Sequence, residues 1–544
     1  MSFDYQIGDY YETYRNFKLD VPERYNWAYE VFDTWGQDSS KVAMVWVGRD
    51  GDTKEVTFRH LSERSKRVAN ALIGLGVQPG DRVFVMLPRI IEWWELILGC
   101  MRSRTISVPG TTMLTSKDIA YRINISEVKI AVVDSDNIEK IQAIRKECPT
   151  LEKVIIVGNA EGAISYEDIL QKSSPKLPNP NNFSNDPMML YFTSGTTGHP
   201  KMVLNTHASY PLAHIITGKF WLDNRPSDLH WTIADTGWAQ AAWTSFFAPW
   251  TMGAAIFIWD NRGKFDSAGT LHMLEKYPIT TFFAPPTVYR MLLTDKKLNG
   301  LRPKALRHCV GAGEAVNPDL IDVWKKNTGT HIWEGYGQTE TVLCIATFPG
   351  MRPKPGSMGV AAPGFNIAVI DEKGVEVSDG QEGEIAIRVR PDRPVGLFSE
   401  YWRDPDANAK SFQGDWYRTG DTAYRDADGY FWFVGRDDDV INSAAYRIGP
   451  FEVESALSEH DAVAETAVVA SPDELRGNIV KAFVVLNAGY KPTDSLINEL
   501  QEHVKEVTAP YKYPRIVEFV HALPKTISGK IRRIELRNRE LGKN

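Results

Sequence analysis

The sequence predicts an α/β protein with three parts: a large N-terminal domain of parallel-type sheets with flanking helices, a small antiparallel barrel-like subdomain, and a small α+β C-terminal domain. Three observations carry this expectation. The first third alternates short apolar runs with helical stripes, the pattern of a parallel sheet covered by helices. From about residue 355 short apolar runs alternate with Gly/Asp turns, which suits antiparallel strands. After residue 436 a compact α+β pattern fills about one hundred residues, near the commonest domain size. At 544 residues the chain is also too long for one core.

The elements follow in order. Residues 42–47 and 83–87 read as buried strands, and Leu61, Val68, Leu72 and Leu75 lie near one helical stripe between them. Residues 131–133 and 154–157 are two further short apolar runs, and 188–192 is a strand-like run. Residues 236–259 carry no charge and are long enough to span a bilayer. Gln240, Thr244, Ser245, Pro249, Thr251 and Gly253 interrupt that stretch, and its tryptophans are spread along it rather than gathered at its ends. A buried helix at about 239–247 and a buried strand at 254–259 fit better, and no membrane span is expected. Runs at 367–370, 384–389 and 430–434 form the antiparallel part. A domain boundary falls at 435/436; Pro450 suits a first helical turn, and 486–492 is a turn around Gly489.

Bulk properties exclude several classes. Sixty-two basic against 69 acidic residues leave a net charge of −7, which argues against a nucleic-acid partner. Cys100, Cys148, Cys309 and Cys344 are scattered without metal spacing, which suits a reducing compartment and no zinc site. The start, M-S-F-D-Y-Q, lacks a basic region followed by an apolar core, so no secretory signal is visible and a cytoplasmic location is expected.

The chemistry concentrates first at 191–201, Y-F-T-S-G-T-T-G-H-P-K. Thr193, Ser194, Thr196 and Thr197 alternate with Gly195 and Gly198, and Lys201 closes the run. Glycines bring backbone N–H groups close to a ligand, and with hydroxyls and a lysine they make a nest for polyphosphate. The strand leading into the loop places it where α/β proteins bind nucleotides. It is not a Walker loop: the spacing is G-x-x-G-x-x-K and Met202 follows the lysine.

Further segments appear downstream: E-G-Y-G-Q-T-E-T at 334–341, Y-R-T-G-D at 417–421, G-R-D-D-D-V-I-N-S-A-A-Y-R-I-G-P-F-E-V-E at 435–454 and P-K-T-I-S-G-K at 524–530. With the T-S-G-T-T-G loop, they resemble in kind and order the core motifs of the adenylate-forming (AMP-binding) superfamily. R-Y-N-W-A-Y-E-V-F-D-T-W from Arg24 and A-D-T-G-W around Asp235 look most like the medium-chain acyl-CoA synthetases. The resemblance runs over nearly the whole chain. It implies an acid–thiol ligase that uses ATP, releasing AMP and pyrophosphate, with Mg2+ and coenzyme A.

By that resemblance the loop from Thr193 to Lys201 holds the leaving pyrophosphate, Thr339 contacts the α-phosphate, and Glu340 holds Mg2+. Asp421 takes the ribose hydroxyls, and Arg436 contacts ribose or phosphate. Gly313, Glu314 and Ala315 lie against adenine with Tyr336, and Glu334, Gln338 and Arg447 complete the nucleotide site. Lys530 bridges the acid and the α-phosphate, a task suited to a mobile point charge. Trp238, Ala239, Gln240, Ala312 and Gly337 line the acyl pocket. Acetyl-specific relatives carry a tryptophan where Gly337 stands, so the expected substrate is a longer acid: medium-chain, short branched or aromatic. Ala444 and Ala445 occupy the coenzyme A tunnel, where relatives usually carry Ser-Gly.

The division implied is an ATP- and acyl-binding domain at 1–435 and a mobile, lysine-bearing domain at 436–544, hinged near Asp438. A free-standing enzyme loading a carrier-protein thiol is the alternative, and a non-catalytic nucleotide-binding protein is opposed by the intact Lys530, Glu340 and Asp421. Homo-oligomerisation is left open.

Overall fold

The computed structural model describes residues 10–193, 200–299, 301, 303, 305–314, 316–436, 439–443, 446–473, 477–508, 510–525 and 530–542. Among them, an eight-stranded sheet runs in the order Glu400–Tyr401, Lys201–Thr206, Pro187–Thr193, Ile106–Pro109, Arg82–Met86, Val128–Asp134, Lys153–Val157, Ile164–Ser165. Its central pairings are parallel. The near-continuous apolar runs fit this, because both faces of a parallel strand are covered. A nine-stranded sheet carries Val42–Val47 and Ala255–Trp259 near one edge and ends beyond Ile332–Tyr336 at the other. Helix Phe58–Gly74 buries Leu61, Val68 and Leu72, and Thr57 caps it by accepting the His60 N–H. Leu75 lies just past its end as the C-cap.

The antiparallel part is a five-stranded sheet in which Trp416–Arg425 pairs with Glu382–Arg388 and with Phe431–Arg436. After Arg436 the chain forms a three-stranded sheet of Val463–Asp473, Gly477–Leu486 and Ile516–Phe519. Helices Pro450–Ser458 and Asp494–Val507 cover it around a core that includes Val453, Leu457, Val480, Val484 and Leu500. Pro450 opens its helix as expected, and Gly489 takes a φ of +98° in the turn after 486.

The uncharged segment 236–259 departs in detail from one buried helix. It forms an α-turn Ala239–Ala242, a π-turn Trp243–Phe247 and an α-turn Ala248–Thr251 before the strand Ala255–Trp259. Pro249 has no N–H to donate to the Ser245 carbonyl, and the Trp94 indole N–H donates to that oxygen instead at 2.8 Å. The backbone ladder shifts there, with Ser245 at φ −123° and ψ 16°. Among the described residues no helix is long and apolar enough to cross a membrane.

The two large sheets meet at a backbone contact beside this helix. The turn at 235–237 is closed by Asp235, whose side chain accepts the Gly237 N–H at 2.9 Å. A Cβ on Gly237 would stand 2.0 Å from the Thr111 nitrogen, so the turn lies flush on 110–111. Backbone cannot rotate aside as a side chain can. Gly237→Ala is therefore expected to cost about 1–3 kcal/mol of stability by overpacking. Thermal unfolding of the two proteins checks this, and an unchanged Tm would contradict the close approach.

Candidate nucleotide and acyl site

Thr193 and Lys201 are register partners on antiparallel strands, so the T-S-G-T-T-G loop is a hairpin connection. The strand Lys201–Thr206 follows it. Ser194, Gly195, Thr196, Thr197 and Gly198 fall outside the described residues. On the other flank of Lys201–Thr206, Tyr401 pairs with Val203, which puts Tyr401 diagonally across from Lys201. The Lys201 ammonium sits 4.6 Å from the centre of the Tyr401 ring.

Tyr401 also reaches Glu340, donating its hydroxyl to Oε1 at 2.8 Å. Glu340 is no exposed turn acid: it is 9% exposed, and its own carbonyl accepts the Phe398 N–H at 2.7 Å. Burial pushes its carboxyl above the usual range, opposed by the Tyr401 hydroxyl and by the charges of Arg436 and Lys201. Thr339 sits half-buried in the same turn.

Asp421 is the second buried carboxylate. Its Oδ2 accepts from the Tyr336 hydroxyl and from Gln338 Nε2, each at 2.6 Å. Arg436, its register partner on the next strand, brings Nε to 3.5 Å from Oδ1. Burial raises the Asp421 carboxyl, and Arg436, Tyr336, Gln338 and the exposed Lys530 oppose it in that order. Gln338 is itself fixed by donating to the Thr419 carbonyl at 2.9 Å and accepting from the Tyr417 hydroxyl at 3.1 Å. Tyr336 thus presents its ring from a pinned hydroxyl.

Two of the expected nucleotide residues have protein partners for their side chains. Glu334 is buried in the strand Ile332–Tyr336, and the backbone N–H groups of Val316 and Gly356 donate to its carboxyl, which burial holds well above the usual range. Its side chain ties loops to the sheet. Glu314 accepts from Arg290 at 2.8 Å and Thr287 at 2.7 Å. Gly313 beside it has a φ of +99°, and a Cβ there would lie 3.5 Å from Gln240 Nε2, so the loop at 313–314 abuts the turn Ala239–Ala242.

The residues expected to line the acyl pocket stand at element ends and turns. Trp238 caps the turn Ala239–Ala242, and Ala312 ends the strand His308–Ala312. The room expected beside Gly337 is not open: a Cβ there would meet the Val342 carbonyl oxygen at 2.7 Å and the Trp243 ring at 2.8 Å. Ala315, Asp438, Ala444, Ala445 and the side chain of Arg447 lie outside the described residues. Beyond Arg436, Arg533 grips Glu454 with Nη2 at 2.6 Å, and Arg537 pairs with Asp439 next to the expected hinge. Tyr401 and Trp243 stand in none of the motifs read from the sequence. No local spacing marks them, since Tyr401 is 61 residues from Glu340.

The donors suit a hard cation. Glu340 keeps Oε2 clear of the Tyr401 bond, and a buried carboxylate facing Lys201 and Arg436 lies where negative charge is balanced. Among the described residues no three His, Cys, Asp or Glu side chains gather as a metal site, so Mg2+ here would need phosphate oxygens to complete its shell.

Two buried carboxylates, Glu340 and Asp421, thus share the charge of Arg436, with Lys201 acting on the first and Lys530 on the second. The profile of the AMP-binding enzyme family matches residues 31–402, and that of the AMP-binding enzyme C-terminal domain matches 452–530. The mitochondrial acyl-coenzyme A synthetase ACSM3 of Rattus norvegicus is 47% identical, covering 98% of this chain and 94% of the relative. The human mitochondrial acyl-coenzyme A synthetase ACSM5 is 46% identical over 96% of this chain and 92% of the relative. The crystal structure of the anthranilate CoA ligase AuaEII in complex with anthranoyl-AMP superposes with a TM-score of 0.88 at 31% identity, covering 96% of this chain and 98% of that one. The chain belongs to the AMP-binding enzyme family.

The comparisons correct one expectation. The cytoplasmic location is overturned by relatives that are named mitochondrial. Scattered free thiols report a reducing environment, and they do not tell one reducing compartment from another.

The buried Glu340 gives a signed pH dependence. Its folded-state carboxyl lies above the ordinary 4.5, so the folded chain holds this proton more tightly than the unfolded chain. The associated stability is present at low pH and is lost as pH rises through the folded value. Glu340→Gln removes that loss. Thermal scans of the ligand-free variant should show a Tm advantage over wild type that grows from acidic to neutral pH, while AMP formation collapses. A constant or reversed gap would show that Glu340 is well solvated.

Proposed function

We infer that the protein ligates a carboxylic acid to coenzyme A in an ATP-dependent, AMP-forming reaction. The observation that carries this reading is the meeting at Asp421 of Tyr336 and Gln338 from one sheet, Arg436 from another, and the charge of Lys530 from the C-terminal segment. In the first half-reaction the acid's carboxylate oxygen bonds the α-phosphorus of ATP, and the bond to pyrophosphate breaks. In the second a thiol sulfur bonds the acyl carbon, AMP leaves, and the thiol proton goes to solvent.

The difficulty is an anion approaching a polyanion, and the side chains answer it with placed cations and donors. Lys201 and its loop hold the phosphates that leave, and Thr339 offers its hydroxyl to the α-phosphate. Lys530 bridges that phosphate and the incoming carboxylate. Asp421 Oδ1 and Arg436 take the ribose, since Oδ2 is already filled by Tyr336 and Gln338. Mg2+, when bound, neutralises phosphate charge, and Glu340 oriented by Tyr401 would hold it. The acid is medium-chain, short branched or aromatic.

Lys530 and a thiol tunnel cannot both face the α-phosphate, so 436–544 turns about Asp438 between half-reactions and brings up Ala444 and Ala445. Arg533 pairs with Glu454 inside 436–544, and the charge of Glu314 reaches it from the other side of the junction.

The test is stoichiometry. Acid, ATP, Mg2+ and coenzyme A should yield AMP, pyrophosphate and thioester in equal amounts, and ADP with phosphate would sink the reading. Lys530→Ala should slow acyl-AMP formation by about 10²–10³-fold, the range for a preorganised charge at a developing anion. Thioester formation from supplied acyl-AMP should largely survive in that variant; equal loss of both would make the lysine structural. Asp438→Pro fixes φ where a hinge must swing, so acyl-AMP should still form while thioester formation is lost. Separate assays of the two half-reactions decide this.

A further inference from the structure

We propose that Tyr401 is a positioning residue that spaces Glu340 against Lys201, so that Mg2+ and pyrophosphate bind this chain as one unit. The inference rests on the acyl-CoA ligase reading and adds to it a residue that lies outside the motifs. The backbone around Tyr401 is fixed from three sides. The Phe398 N–H donates to the Glu340 carbonyl at 2.7 Å and the Val342 N–H to the Gly396 carbonyl at 2.9 Å, so 396–398 runs along the turn that bears Glu340. Further on, Tyr401 pairs with Val203, and the Ser399 and Trp402 N–H groups donate to the Leu204 and Met202 carbonyls at 2.7 and 2.8 Å. Asn408 closes the frame: its Oδ1 accepts the Tyr401 N–H and its Nδ2 donates to the Tyr401 carbonyl, each at 2.8 Å. The strip 396–402 thus joins the Glu340 turn to the strand that starts at Lys201.

The side chain puts two different properties to use. Its hydroxyl donates to Glu340 Oε1 at 2.8 Å, which orients the carboxylate and leaves Oε2 clear of that bond. Its ring face lies 4.6 Å from the Lys201 ammonium, where the ring attracts a cation. The ring has no room to swing: Tyr401 is 4% exposed, and the fully buried Phe398 ring stands edge-on at 4.8 Å. Turning the ring away from Lys201 would break the bond to Glu340, so neither charge shifts without the other. Polyphosphate oxygens both ligate a hard divalent cation and pair with a lysine. A fixed gap between Glu340 and Lys201 therefore favours the metal and the pyrophosphate together over either ion alone.

The experiment is calorimetry on the full-length enzyme with inorganic pyrophosphate, Mg2+ and AMP as probes, for wild type, Tyr401→Phe and Tyr401→Leu. Tyr401→Phe keeps the ring beside Lys201 and removes the hydroxyl. It should raise the Mg2+ concentration that half-saturates the pyrophosphate complex by roughly 10–100-fold, the range for losing a residue that orients a metal ligand. Its affinity for pyrophosphate without Mg2+ should match wild type. Tyr401→Leu removes the ring as well and should weaken Mg2+-free pyrophosphate by about fivefold more. AMP affinity should hold in both variants, because Asp421 keeps its own donors. The Mg2+ requirement of AMP formation should move in parallel with the calorimetric midpoint. Should Tyr401→Phe fail to fold, Asn408→Ala, which frees the Tyr401 backbone, should shift the Mg2+ midpoint in the same direction. An unchanged Mg2+ midpoint in the folded variants, or equal losses for AMP and pyrophosphate, makes Tyr401 a packing residue and leaves the ligase reading standing. A wild type that forms neither AMP nor thioester from any acid overturns both.

Discussion

The site depends on keeping a carboxylate buried without neutralising it. Asp421 is 4% exposed, and an isolated anion there would take up a proton. Tyr336 and Gln338 donate to one of its oxygens, and Arg436 approaches the other. The donors come from the end of the nine-stranded sheet, and the acceptor comes from the five-stranded sheet. The same bonds therefore lock two sheets together. Gln338 extends the lock to Thr419 and Tyr417, so its amide has little freedom left.

Glu340 repeats the device with a different partner. Its burial costs free energy in the ligand-free protein, as its raised carboxyl shows, and the Tyr401 hydroxyl offsets only part of that. Tyr401 joins the two charges that matter: its ring lies under Lys201 and its hydroxyl on Glu340. One edge strand of two residues, Glu400–Tyr401, thus couples Lys201 to Glu340.

Gly337 touches both a carbonyl and an indole, and Gly237 touches the backbone of Thr111, so both glycines mark close approaches and not open space. The π-turn that begins at Trp243 follows from Pro249 and from the Trp94 indole taking the Ser245 carbonyl. A proline six residues on thereby affects the backbone that carries the Trp243 ring.

Much of this was legible in the order of residues. Apolar runs placed the strands at 42–47, 128–134 and 153–157 to within a few residues, because a buried parallel strand must be apolar on both faces. Pro450 and Gly489 marked a helix start and a turn through backbone geometry that is local by nature. Motif order disclosed Lys201, Glu340, Asp421, Arg436 and Lys530 together. What local sequence cannot hold is a contact between distant residues: Tyr401 against Glu340, Trp243 against Gly337, and Glu334 spent on the N–H groups of Val316 and Gly356. The sequence by itself determined the sheets, the turns and the charged residues of the site. Only the tertiary structure decided which carboxylates are buried, who donates to them, and which side chain fills the room a glycine leaves, because those depend on strand pairing and packing across the chain.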